Sequence, residues 1–159
     1  MVQSKNTVLE KAPAESLLFT PLKTGNVQLK NRICIAPMCQ YSCEDGLVND
    51  WHLVHLGARA IGGAGVVMVE ATAVEARGRI TPGCPGIWND DQVAPLKRIT
   101  DFVRSQNSVP AIQLAHAGRK ASTYEPFSGD HNKALPAGKG WTPVAPSPIG
   151  KFTGICYFV

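Results

Sequence analysis

Three short apolar runs separated by two amphipathic stretches constrain this chain more than any other feature. The runs are Ile33-Cys34-Ile35-Ala36, which stops at Pro37, then Gly65-Val66-Val67-Met68-Val69-Glu70, then Pro110-Ala111-Ile112-Gln113-Leu114-Ala115. Runs this short without polar alternation read as strands covered on both faces, as parallel strands are. Between the first and second, Asn49 or Asp50 caps a helix whose Trp51, Val54, Ala58 and Ile61 form one apolar stripe, and Gly62-Gly63 ends it. Between the second and third, a Gly/Pro-rich excursion (Gly78, Pro82, Gly83, Pro85, Gly86) leads to a helix that begins near Pro95, where a missing N–H costs nothing. Leu96, Ile99, Phe102 and Val103 supply its apolar side. Strand, helix, strand, helix, strand predicts right-handed parallel crossovers, in an open doubly wound sheet or in the beginning of a (β/α)8 barrel.

The flanks differ from this middle. Residues 1–16 form a polar leader, and Leu18–Lys23 with Asn26–Lys30 around Thr24-Gly25 predict a short hairpin. From His116 onward Gly, Pro, Ser and Lys recur without helix or strand period. A loop of ~40 residues is uncommon in a finished compact domain. The closing Cys156-Tyr157-Phe158-Val159 has nothing after it to pack against, so the chain reads as truncated.

Several function classes find no support. The apolar run Ala64–Val69 is far shorter than the ~20 residues of a membrane helix, and the N-terminus has no signal-peptide core, so the chain reads as cytoplasmic. Five cysteines, an odd number with no CxxC pair, argue against a disulfide framework and a structural zinc site. His52 and His55 lack the i, i+4 spacing of a zincin helix and read as packing or hydrogen-bonding residues, and no metal is expected. The net charge of +4 comes from dispersed side chains and gives no basic stripe for nucleic acid. There is no GxGxxG, Walker loop or GxSxG.

In parallel α/β folds chemistry collects at the C-terminal ends of strands, because loops vary there while the sheet holds them. Three segments qualify: Pro37-Met38-Cys39-Gln40-Tyr41, Glu70-Ala71-Thr72, and Gln113 with His116-Ala117-Gly118-Arg119-Lys120. Gln113 lies in an apolar strand, where an unpartnered amide costs ~1–3 kcal/mol. A ligand with paired donor and acceptor edges would satisfy it, and so would neighbouring backbone. The basic turn after His116 suits an anion or is merely solvated.

Phe19-Thr20-Pro21-Leu22, Asn31-Arg32-Ile33, Ala36–Ser42, Val69–Val74, Gly78–Thr81, Gly86-Ile87-Trp88 and Gln113–Lys120 together resemble the Old Yellow Enzyme family, most closely its thermophilic-like branch of NADPH dehydrogenases or ene-reductases. The resemblance runs from residue 17 to residue 148. It implies an FMN-binding (β/α)8 TIM barrel of which the chain holds the first three strands, with 17–149 the N-terminal part of the barrel and 150–159 a divergent tail. In that family NADPH reduces the flavin, which passes hydride to the β-carbon of an activated alkene. The resemblance implies that Pro37, Met38 and Cys39 line the flavin, that Ala71 packs by its ring, and that the Gln113 amide bonds its pyrimidine edge. Cys39 would be the thiol that modulates the flavin, where other branches carry Thr; Tyr41 and Lys120 would face a small-molecule substrate, an activated alkene, quinone or similar. Full-length relatives also suggest a homo-oligomer.

Two departures accompany the resemblance. The family's substrate-anchoring pair, its proton-donor Tyr and its phosphate-holding Arg residues belong to segments not found before Val159, and the pattern is lost after Pro146-Ser147-Pro148-Ile149. A three-stranded arc leaves unpaired edges that invite aggregation, and although its helices can cover one face, the barrel-interior face would be wet. Weak FMN binding or none is therefore the expectation for this chain alone. The competing reading is a truncated non-catalytic product or an interaction module that lacks the catalytic half.

Overall fold

A computed structural model describes residues 16–130 and 133–147; most of the polar leader and the whole divergent tail lie outside the described residues. A one-turn 3-10 segment, Leu17–Phe19, precedes a hairpin of β1 (Leu22–Thr24) and β2 (Val27–Leu29). Thr24 pairs with Val27, so the turn is Gly25-Asn26, one residue later than the sequence suggests, with Gly25 at φ +55°. That left-handed conformation is why glycine stands there. Then come β3 (Cys34–Ile35), α1 (Asp50–Ile61), β4 (Val66–Ala73), α2 (Val93–Ser105) and β5 (Val109–Ala115).

β3, β4 and β5 form one parallel sheet in that order. Consecutive strands are neighbours and α1 packs on α2, so both crossovers step the same way and lie on one face. That is an arc of a barrel wall; a doubly wound sheet would reverse its strand order and place helices on both faces. The core lies between this sheet and the two helices. Val67 and Val69 of β4 meet Leu56 and Ala60 of α1 and Leu96, Ile99 and Val103 of α2, with Ile33, Ile35 and Ile112 packed around them.

Asn49 caps α1, accepting the Trp51 N–H at 3.0 Å. The buried side of α1 is His52, Leu56, Gly57 and Ala60. The expected stripe of Trp51, Val54, Ala58 and Ile61 is instead exposed. Small residues decide this: α1 and α2 approach so closely that a Cβ at Gly57 would lie 2.8 Å from the Phe102 ring, and the bulkier apolar row cannot fit there. α2 begins two residues before Pro95, after a capping box in which Gln92 answers Asn89, and buries Leu96, Ile99 and Val103 as expected.

Coverage on both strand faces is not borne out either. Cys34 and Ala36 are exposed and Gln113 is open to solvent, because nothing among the described residues covers the sheet face opposite the helices. The outer edge of β5 also carries no strand partner among them, and Leu114 there is 62 % exposed.

The segment after β5 has one 3-10 turn, Gly118–Lys120, and otherwise loops through residue 147, as the sequence suggests. It is tied back to the loop after β4. The Arg79 guanidinium lies between the rings of Trp88 and Trp141, 5.2 and 4.9 Å from their centres, and the Trp141 indole N–H donates to the Arg77 carbonyl at 2.7 Å. Among the described residues no helix is long and apolar enough to cross a membrane, and no group of three or more His, Cys, Asp or Glu could hold a metal.

Candidate functional site at the strand ends

Register brings the predicted residues together. In β4 and β5 Ala71 pairs with Gln113, and paired residues of parallel strands point to one face. Ile112 packs on the helical core, so by alternation Gln113 and Ala71 belong to the opposite, open face. The loop leaving β3 reaches the same place. Cys39 is half-buried, and the Ala71 backbone N–H and the Tyr41 hydroxyl lie near enough to act on its thiol. Pro37 is half-buried and Met38 is 46 % exposed beside them. Pro37, Met38, Cys39, Tyr41, Ala71 and Gln113 thus share one end of the sheet.

Lys120 stands apart. It is exposed on the turn beyond β5, and no hydrogen bond or ion pair among the described residues joins its side chain to the others. Gln113 needs a correction as well: it is exposed, so no desolvation cost forces a partner on it. Its amide is free to serve a ligand without being obliged to. His116 is engaged within the chain, its ring N–H pointing at the Glu75 carboxylate at 2.6 Å while Nδ1 accepts the Gly118 N–H at 3.0 Å. That bond holds the Glu75 carboxyl below its usual range.

The electrostatics of the cluster favour neutral groups. Desolvation pushes the Cys39 thiol up from its ordinary value, and the Glu70 and Cys84 charges push the same way, against the Ala71 N–H and the Tyr41 hydroxyl. Desolvation, with Cys39 and Cys84 nearby, pushes the Tyr41 hydroxyl up to about 12. Tyr41 also sits at φ +53°, a left-handed conformation unusual for a bulky residue. Gly83 makes room for it: a Cβ there would lie 2.7 Å from the Tyr41 carbonyl oxygen.

Behind the cluster lies a pair of residues whose connection the sequence reading missed. Glu70 is 3 % exposed and His52 1 %, with Glu70 Oε1 3.4 Å from His52 Nε2, and the other Glu70 oxygen accepts the Gln40 N–H at 2.9 Å. The one available signal was an acidic residue closing an otherwise apolar strand run. His52 hydrogen-bonds and packs, as expected.

Two open hollows lie elsewhere. A cavity of about 380 Å3 is walled by Arg119, Ser122, Leu135 and Trp141, and one of about 500 Å3 by Glu44, Arg79, Glu125 and Lys139; neither is lined by Cys39, Ala71 or Gln113. The strand-end cluster is an open platform, suited to a flat ligand laid across it. An apolar floor of Ala71 and Met38, a soft thiol at one margin and a donor–acceptor amide at the other match a planar ring with one polar edge.

Residues 17–146 match the model of the NADH:flavin oxidoreductase / NADH oxidase family. An NADH:flavin oxidoreductase of Gibberella zeae is 49% identical over 140 residues, which is 87% of this chain and 34% of that protein. An NADPH dehydrogenase of Bacillus cytotoxicus is 52% identical over 109 residues, 67% of this chain and 32% of that protein. Among solved structures, morphinone reductase superposes with a TM-score of 0.68 at 32% identity, covering 84% of this chain and 32% of that one. An Old Yellow Enzyme from Pichia sp. AKU4542 gives 0.63 at 30% identity, over 67% of this chain and 28% of that one. The chain spans about a third of the length of the curated relatives it matches.

Proposed function

Since the chain belongs to the NADH:flavin oxidoreductase / NADH oxidase family, the Old Yellow Enzyme family with its (β/α)8 barrel, we propose that its strand-end platform is a flavin-binding surface of an FMN-dependent oxidoreductase with a nicotinamide reductant. One observation carries this reading: Cys39, Ala71 and Gln113 share one open face at the C-terminal ends of three parallel strands. The residues fit the group. A side chain larger than that of Ala71 would fill the floor, and the exposed Gln113 amide can both donate and accept, as a pyrimidine edge requires.

Bound FMN would supply the redox chemistry, accepting hydride from NADPH and delivering it to the β-carbon of an activated alkene or to a quinone. The chain's own residues orient and exclude. Pro37, Met38 and Ala71 form the apolar support, Gln113 fixes the in-plane direction, and Cys39 offers a neutral S–H at the margin. Tyr41, its hydroxyl held in the protonated form, faces the substrate side; Lys120 reaches that side only if the turn that carries it bends over the platform. Unpaired thiols at Cys34, Cys39, Cys43 and Cys84 fit a cytoplasmic setting.

A titration of FMN fluorescence with the purified chain tests the reading. Saturable quenching that Gln113→Ala weakens by roughly fivefold, the worth of about one hydrogen bond, supports it. Equal curves for the two proteins would overturn the assigned role of Gln113. Absence of quenching by a chain whose circular dichroism shows it folded favours the second reading, a non-catalytic interaction module, for which the unpaired outer edge of β5 is the supporting observation.

A further inference from the structure

β4 contains a β-bulge at Glu70: Val69 pairs with Ile112 and Ala71 with Gln113, which leaves Glu70 without a partner in the ladder. A bulge re-aims a side chain, and here it brings the carboxylate under the loop that leaves β3. A buried charge is tolerated only when it is bonded. One Glu70 oxygen accepts the Gln40 N–H at 2.9 Å and the other lies 3.4 Å from His52 Nε2. His52 is itself oriented. Its Nδ1 lies 3.2 Å from the Asn49 backbone nitrogen and 3.1 Å from the Asn49 side-chain oxygen, and its Nε2 faces Glu70 and the Cys43 sulfur, each at 3.4 Å. A continuous set of contacts therefore runs from the cap of α1, through His52 and Glu70, to the backbone one residue past Cys39.

We propose that Glu70, backed by His52, is the positioning residue of the strand-end site: it pins the Cys39-bearing loop through the Gln40 N–H and sets a negative charge behind the thiol. Burial is the first cause that raises the Cys39 thiol and Glu70 adds to it, so Cys39 meets its ligand as an S–H donor and not as a thiolate. Other groups act on the same sulfur. Cys84, from the loop after β4, opposes its ionisation as Glu70 does, whereas the Ala71 N–H of β4 and the Tyr41 hydroxyl of its own loop favour it; on the far side of Glu70 stand His52 and Cys43, and Arg79 acts on Cys43. The identity of the ligand rests on the flavin reading above; the placement of Glu70 does not.

The test is site-resolved alkylation of the flavin-free chain with iodoacetamide across pH 6.5 to 10, following Cys39 and, as internal reference, the exposed Cys34 by peptide mass spectrometry. Only the thiolate reacts, so each midpoint reports ionisation whatever the access. In the wild type the Cys39 midpoint lies above the ordinary thiol value. Glu70→Gln keeps an acceptor for the Gln40 N–H and removes the charge; at pH 8 it speeds Cys39 alkylation roughly threefold and moves its midpoint down, with Cys34 unchanged. An unmoved Cys39 midpoint in a Glu70→Gln chain with wild-type circular dichroism overturns the proposal. Should that variant fail to fold, hydrogen exchange of the wild type decides: a Gln40 amide protected well beyond open-loop amides supports the proposal. Hydrogen exchange tests the pinning, since a Gln40 amide that exchanges as freely as an open loop refutes it. These readouts need no flavin, so they decide this proposal whatever the outcome of the FMN titration.

Discussion

Tyr41 holds its hydroxyl up at about 12, chiefly through desolvation, whereas an unfolded chain titrates tyrosine near 10. A folded-state value above the unfolded one favours the protonated group on folding, so its contribution is whole below pH ~10 and is lost as pH rises toward 12. Tyr41→Phe should therefore flatten the fall in stability over that interval, read from urea melts at successive pH values; parallel wild-type and variant curves would show that Tyr41 titrates as in the unfolded chain. The raised thiols of Cys39, Cys43 and Cys84 add losses that begin nearer pH 9, and these remain in the variant. At this scale the sequence showed residue types well and environments poorly. Cys39, Ala71 and Gln113 could be picked out as strand-end residues, yet the exposure of Gln113 depends on what covers the sheet, and the link between Glu70 and His52 on a one-residue bulge that apolar patterning does not register.

Among the elements, α1 shows where pattern reading succeeds and where it misleads. Its start was legible because capping chemistry is local: Asn49 accepts the Trp51 N–H and donates to the Ser42 carbonyl at 2.6 Å. Asn49→Ala should cost about 1–2 kcal/mol, measured as a lower urea midpoint at unchanged slope. Its inward side was not legible, because the largest apolar residues point outward and small ones face α2. The close approach of Gly57 to Phe102 leaves no space for a branched side chain. Gly57→Leu should overpack the helix pair and destabilise by ~1–3 kcal/mol; stability equal to the wild type in the same melts would mean that the helices part without cost. β4 was expected to end at Glu70 and continues to Ala73, since the bulge lets pairing resume past the acidic residue.

For the molecule as a whole, the decisive fact is a sheet covered on one face. The parallel arc was legible from the alternation of runs and helices, and the resemblance fixed its curvature; the apolar runs alone read as covered on both faces, and only the count of three strands out of eight pointed to a wet interior face. An outer β5 edge with Leu114 on it is a template for a second chain. Leu114→Lys should lower self-association, seen as reduced light scattering at equal concentration, without changing the far-ultraviolet spectrum; unchanged scattering would place the sticky surface elsewhere. The Arg79 clasp acts at the same scale. Two of the three tryptophans, Trp88 and Trp141, share one guanidinium, and the third, Trp51, stands exposed on α1. Indole emission is thus a built-in optical gauge of whether the long segment after β5 is docked, and it reads that docking separately from the integrity of the sheet.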